Sequence, residues 1–183
     1  MTTFTIASPE RMAELGVVIA AQLDAGDLVL LNGELGAGKT TLTRAIGETL
    51  GIRGTVTSPT FVLARTHPRL DASGAEISVD EAPPLVHVDA YRLGSAVELD
   101  DLDIDFDASI VVVEWGAGLL DGVSDSWLTV DIARPIGAGS DVDGHGDGSD
   151  DDFAEEPVEP RTVTVTGHGP RWADMEWINA VSD

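Results

Sequence analysis

Apolar and polar residues alternate over positions 3–7, a period-two pattern that predicts a short strand. Ser8-Pro9-Glu10 then reads as a helix start, with Ser8 as the N-cap and Pro9 at the first helical position. Met12, Leu15, Val18, Ile19 and Leu23 keep helical spacing, and Gly26-Asp27 is the expected end of that helix. Leu28 to Leu31 is an unbroken apolar run, the signature of a strand covered on both faces. After a glycine-rich loop, a second helix is predicted from Lys39 to Leu50, stopped by Gly51. Phe61 to Arg65 reads as a strand, and residues 66–84 as a loop or an extended hairpin. Leu85 to Asp89 and Ile110 to Glu114 are two further apolar strands, each ending in a carboxylate. Trp127 to Ala133 and Thr162 to Thr166 alternate like an antiparallel pair, and residues 170–181 are compatible with a short closing helix.

The 183 residues suit a single domain, and a 43% apolar fraction is enough to build its core. One stretch departs from that composition. Residues 141–159 carry nine acids and no lysine or arginine, so about 137–160 is expected to be a disordered acidic insertion between two paired strands. Thirty-three acids against ten bases give a formal charge of −23. That field repels a phosphate backbone, which argues against an autonomous nucleic-acid binder. The absence of cysteine excludes disulfides, thiolate metal sites and a thiol nucleophile. No apolar run reaches the roughly 18–20 residues of a membrane span, and MTTFTIASPERM has neither the basic nor the apolar region of a secretion signal. A cytoplasmic location is the expectation.

Nine of the ten bases are arginine, and the single lysine is Lys39. It falls inside Gly33-Glu34-Leu35-Gly36-Ala37-Gly38-Lys39-Thr40, which satisfies G-x-x-x-x-G-K-[ST] between an apolar strand and an amphipathic segment. Glycines let successive backbone N–H groups turn toward a phosphate, and the helix N-terminus adds its dipole. Lys39 is then placed for the β- and γ-phosphates of a nucleotide and the Thr40 hydroxyl for Mg²⁺. Such a site needs a second acidic group at the end of a neighbouring buried strand, and Glu114 and Asp89 both qualify.

Leu35-Gly36-Ala37-Gly38-Lys39-Thr40-Thr41, Ser58-Pro59-Thr60-Phe61, His87-x-Asp89-x-Tyr91-Arg92-Leu93 and Glu114-Trp115, in that order, resemble the TsaE family, also called YjeE. These are P-loop ATPases of bacterial tRNA threonylcarbamoyladenosine synthesis. The resemblance implies a three-layer α/β fold of the P-loop NTPase type, with a mostly parallel central sheet and additional antiparallel strands. It further implies a slow, Mg²⁺-dependent ATPase that acts through the TsaD–TsaB complex on adenosine 37 of tRNAs reading codons that start with A. The tRNA itself would be touched only indirectly. On this reading Glu34 through Thr41 bind the nucleotide, and Thr40 and Glu114 hold Mg²⁺. Lys39, Asp89, Glu114 and Thr60 carry the chemistry, with Asp89 orienting water and Thr60 sensing the γ-phosphate. Glu34 replaces the family's usual aspartate on the outer side of the loop.

Other readings stay open at this stage. A small-molecule or nucleotide kinase shares the loop but ordinarily carries an arginine-rich lid, and residues 66–84 and 137–160 do not supply one. A nucleotide-gated interaction module is the non-enzymatic alternative. His87 either packs locally or contacts ligand, and Trp115 is either core or functional. Arg134 and Arg161 flank the acidic stretch, and Arg161 is the one assigned to the nucleotide.

Overall fold

The computed structural model describes residues 1–59, 62–118, 122–134 and 159–181. Seven strands form one sheet: β1 (Thr2–Ile6), β2 (Leu28–Asn32), β3 (Ala64–His67), β4 (Leu85–Asp89), β5 (Ile110–Glu114), β6 (Trp127–Ala133) and β7 (Arg161–His168). Their order is β1-β7-β6-β2-β5-β4-β3. The central four, β6, β2, β5 and β4, run parallel. Antiparallel pairs extend the sheet on both sides, β6–β7–β1 at one edge and β4–β3 at the other. The expected α/β architecture is present.

Two helices, α1 (Pro9–Ala20) and α2 (Lys39–Leu50), cover one face. Ser8 caps α1 by accepting from the Arg11 amide, with Pro9 just inside the helix. Leu15, Ile19, Leu42 and Ile46 are fully buried against Val29, Leu31 and Val112. The helices meet at Gly16, where an added Cβ would lie 2.6 Å from the Ala45 Cβ and 3.3 Å from the Ile46 amide nitrogen. A side chain there would force the pair apart. The opposite face carries Leu28, Leu30, Val86, Val88, Val111 and Val113. It is covered by the short helix α3 (Ala96–Asp100) and by Leu93, Leu102, Ile104 and Phe106 from connecting chain. The third layer is therefore thin.

Four local expectations change. α1 ends at Ala20, with Ala21 as its C-cap, instead of reaching Gly26-Asp27. Leu23, which kept helical spacing, is a half-buried turn residue packed on the core. The strand expected at Phe61–Arg65 begins only at Ala64, because Leu63 has φ 63° and turns the chain. The 170–181 segment forms two 3₁₀ turns, Pro170–Trp172 and Glu176–Val181, in place of an α-helix. The five-residue α3 has no apolar periodicity long enough to announce it. Of the acidic stretch expected at about 137–160, residues 137–158 lie outside the described residues, and only 159 and 160 are described.

Candidate active site

The site lies where the parallel strands end. β2 runs into the loop Gly33–Gly38, and α2 starts at Lys39. Gly38, the N-cap of α2, has φ 117°, a conformation that favours glycine and points the first helical N–H groups outward. Glu34, Leu35 and Gly36 are exposed at the tip, whereas Ala37 and Lys39 are buried.

The Lys39 Nζ donates to the Gly33 carbonyl at 2.7 Å and the Glu34 carbonyl at 3.0 Å. It also sits 3.8 Å from the centroid of the Trp115 ring. Burial pushes the pKa of this amine down, while the negative charges of Glu114 and Asp89 oppose that shift. Trp115 adopts φ 65°, a left-handed backbone rarely taken by bulky residues. That conformation costs about 1–3 kcal/mol and turns the indole back over the loop. Tyr91 meets Trp115 edge-on, with 5.4 Å between ring centroids.

Asp89 and Glu114 end β4 and β5 as directly paired residues. Glu114 is buried, and its Oε1 accepts from the Thr40 hydroxyl at 3.0 Å and lies 2.9 Å from the Nε2 of His87. Asp89 is held differently. Its Oδ1 accepts from the Tyr91 amide at 3.1 Å and its Oδ2 from the Ser58 hydroxyl at 3.4 Å. Lys39, Thr40, Ser58, Asp89, Glu114 and Trp115 line one cleft of about 550 Å³.

The oxygen donors of Thr40 and Glu114 suit a hard cation such as Mg²⁺, which takes one or two protein oxygens and completes its shell with phosphate and water. Among the described residues no group of three or more His, Asp or Glu is placed to hold a metal by itself.

A smaller recess of about 110 Å³ lies on the other side of the loop, sharing Gly36, Gly38 and Thr41 with the cleft. Ile6, Pro9 and Met12 give it an apolar wall, and Ser8, Glu159 and Arg161 line it with polar groups. Arg134 reaches the loop as well, its Nη1 3.8 Å from where a Cβ on Gly36 would lie. Thr60 is outside the described residues. The other candidate residues line these two recesses, except Glu34, which is exposed at the loop tip and contributes only its carbonyl to Lys39. The 6–12 segment carries no motif and was not anticipated; only the topology, which brings β1 beside β7, places it at the loop. Trp172 is buried in the core, with Trp177 packed beside it.

The arginines, scattered along the sequence, are less scattered in space. Residues 35–70 contain five bases and one acid. Arg44 bonds the Val56 carbonyl, Arg65 the Thr57 hydroxyl and Arg69 the Leu50 carbonyl. Among the described residues none of these three has a carboxylate within 4 Å.

Residues 6–137 match the family model described as threonylcarbamoyl adenosine biosynthesis protein TsaE. The tRNA threonylcarbamoyladenosine biosynthesis protein TsaE of Streptomyces coelicolor is 50% identical over 168 residues, covering 90% of this chain and 96% of that protein. The protein of the same name from Bacillus subtilis is 33% identical over 130 residues, 69% of this chain and 74% of its own. The crystal structure of Bacillus subtilis YdiB superposes with a TM-score of 0.62 at 26% identity, covering 99% of this chain and 93% of that one.

Proposed function

The chain belongs to the TsaE family, and from that premise we propose that it serves tRNA threonylcarbamoyladenosine biosynthesis as a Mg²⁺-dependent ATPase. The observation that carries the enzymatic part is the pairing of a phosphate loop with a fixed carboxylate. Lys39 and the α2 N-terminus face the same cleft as the Thr40–Glu114 pair, whose oxygens are 3.0 Å apart.

The loop amides and Lys39 bind the phosphates, and Lys39 exchanges its two carbonyl partners for phosphate oxygens. Thr40 and Glu114 are the groups that would hold Mg²⁺, which would supply positive charge to offset that of the phosphates. Asp89, fixed by Ser58 and Tyr91, orients a water for in-line attack on the γ-phosphorus, leaving ADP and inorganic phosphate. The uncharged base belongs in the apolar recess against Ile6, Pro9 and Met12, with Arg161 beside it. Trp115 and Tyr91 stand at the opposite, phosphate end.

On this reading the protein acts through a TsaD–TsaB complex, with ATP turnover serving repeated rounds of modification in the cytoplasm. No helix among the described residues is long and apolar enough to cross a membrane. The deciding experiment is multiple-turnover tRNA modification reconstituted with TsaD and TsaB, with phosphate release followed in parallel. Both modification and phosphate release should depend on this protein. Modification that proceeds equally well without it would overturn the reading.

A further inference from the structure

Among the described residues His87 is the one fully buried imidazole that touches the site, and neither the phosphate loop nor the water-orienting group makes use of it. It lies on β4 opposite Val112 of β5, which makes Glu114, two residues on, its diagonal neighbour across the strands. Val112, like Leu85, belongs to the apolar cluster beneath α1 and α2. A leucine or valine would suit that environment. The imidazole instead spends one nitrogen on Glu114, at 2.9 Å, and leaves its Nδ1 buried with no hydrogen-bond partner. An unpartnered buried polar atom is costly, so the contact it permits carries a compensating use.

That contact is specific. Both donors, the Thr40 hydroxyl and His87, converge on the same oxygen, Oε1. A carboxylate gripped twice on one oxygen has its rotamer fixed and its second oxygen left for another partner. Thr40 alone could not do this, because its hydroxyl is the group expected at the metal.

We propose that His87 is a positioning residue. Its Nε2 proton, donated to Glu114 Oε1, holds the carboxylate in the rotamer that keeps it beside the Thr40 hydroxyl, where the two would hold the metal together. The proposal rests on the phosphate-site reading above and adds a residue to it. It predicts a split between magnesium dependence and nucleotide binding, because His87 contacts neither the loop nor Lys39.

The test uses the full chain and calorimetric ATP titrations, first in EDTA and then across a Mg²⁺ series, with melting midpoints recorded for each variant. His87→Gln puts an amide N–H near the position of Nε2. His87→Asn is too short to reach Glu114, and His87→Leu has no donor. Asn and Leu should raise the Mg²⁺ concentration needed for half-maximal tightening of ATP by about tenfold, the usual effect of losing a partner behind a metal ligand. Affinity in EDTA should be unaffected in all three, and Gln should recover most of the Mg²⁺ dependence. If Leu does not fold, the Gln–Asn contrast decides alone. A Gln variant that behaves like Asn, in folding or in magnesium dependence, overturns the positioning role. Failure of the unaltered protein to bind ATP at all overturns the phosphate-site reading instead, so the two failures are distinct.

Discussion

Asp89 and Glu114 stand opposite each other at the ends of adjacent parallel strands, yet Thr40 and His87 meet Glu114 whereas Ser58 and the Tyr91 amide meet Asp89. Glu114 is tied to Thr40, on the phosphate helix, whereas Asp89 is tied to Ser58 and to the chain just beyond β4. On the proposed ATPase reading the same strand-end geometry gives two carboxylates separable tasks, Glu114 toward the metal and Asp89 toward the attacking water.

Separable tasks give separable phenotypes. Thr40→Ala and Glu114→Ala should each raise the Mg²⁺ requirement of ATP hydrolysis by about tenfold or more. Asp89→Asn should lower turnover by about 10²–10⁴, the usual contribution of a general base, while leaving the Mg²⁺ titration in place. Steady-state phosphate release against Mg²⁺ distinguishes them. An unchanged titration in Glu114→Ala, with a shifted one in Asp89→Asn, would exchange the two roles.

Lys39→Ala removes a buried amine whose three attachments are two carbonyls of its own loop and one aromatic face. Hydrolysis should fall by about 10²–10³, as expected when a charged transition-state donor is lost, with the circular-dichroism spectrum unchanged. Normal phosphate release from this variant would take the loop out of the mechanism.

His67 gives a prediction about acid. Burial holds its pKa below the ordinary 6.5, helped by the nearby His87 and Arg65 and opposed by its bond to the Arg53 carbonyl. Below pH 6.5 the unfolded chain takes up the proton before the folded one does, so unfolding is favoured as pH falls from 6.5 through the lowered folded value. Above 6.5 the term vanishes. The melting temperature should therefore drop on acidification in that window, and drop less in His67→Gln. Equal slopes in the two proteins would refute the assignment.

Isolated protein should bind tRNA weakly at ~150 mM salt, where charges separated by more than about 8 Å are screened, because the net charge of −23 opposes a polyanion. What attraction remains belongs to the edge around Arg44, Arg65 and Arg69. Arg44→Ala/Arg65→Ala should weaken the residual binding and flatten its salt dependence by roughly one unit of slope per arginine. Submicromolar binding of the isolated protein in an anisotropy titration would refute the charge argument.

Gly16→Ala would put a Cβ 2.6 Å from Ala45. Overpacking of that kind costs about 1–3 kcal/mol, more than the ~1 kcal/mol that alanine gains over glycine in helix propensity. The variant should melt at a lower temperature, and an unchanged or raised midpoint would contradict the close packing of α1 on α2.

Much of the site was legible because local chemistry dictates it. Gly38, Lys39 and Thr40 announce a phosphate loop by spacing alone, and the apolar runs of β4 and β5 end on Asp89 and Glu114 as their patterns require. The Ser8 cap and the Gly51 stop were equally local. What did not show was long-range. His87 sits in an apolar strand, and only the register between β4 and β5 brings it to Glu114. The recess at Ile6–Met12 depends on β1 crossing to β7, more than 150 residues away in sequence. Leu63 took a left-handed turn inside a run that favours a strand, and no composition signal marks that choice.

The contact at Gly16 has a mechanical consequence. The N-terminal end of α1 lines the apolar recess and the N-terminal end of α2 follows the glycine-rich loop, so on the proposed reading the two ends of a bound nucleotide would rest on helices locked to one another. That half of the molecule is an anvil. Motion tied to the terminal phosphate therefore falls to the other half, where Ser58 grips Asp89 and where Leu63 and Trp115 hold left-handed backbone at the ends of their strands. A spin label on α1 and another on α2 should keep a constant separation through the ATP cycle, and any distance that changes should have one end beside Ser58, Leu63 or Trp115.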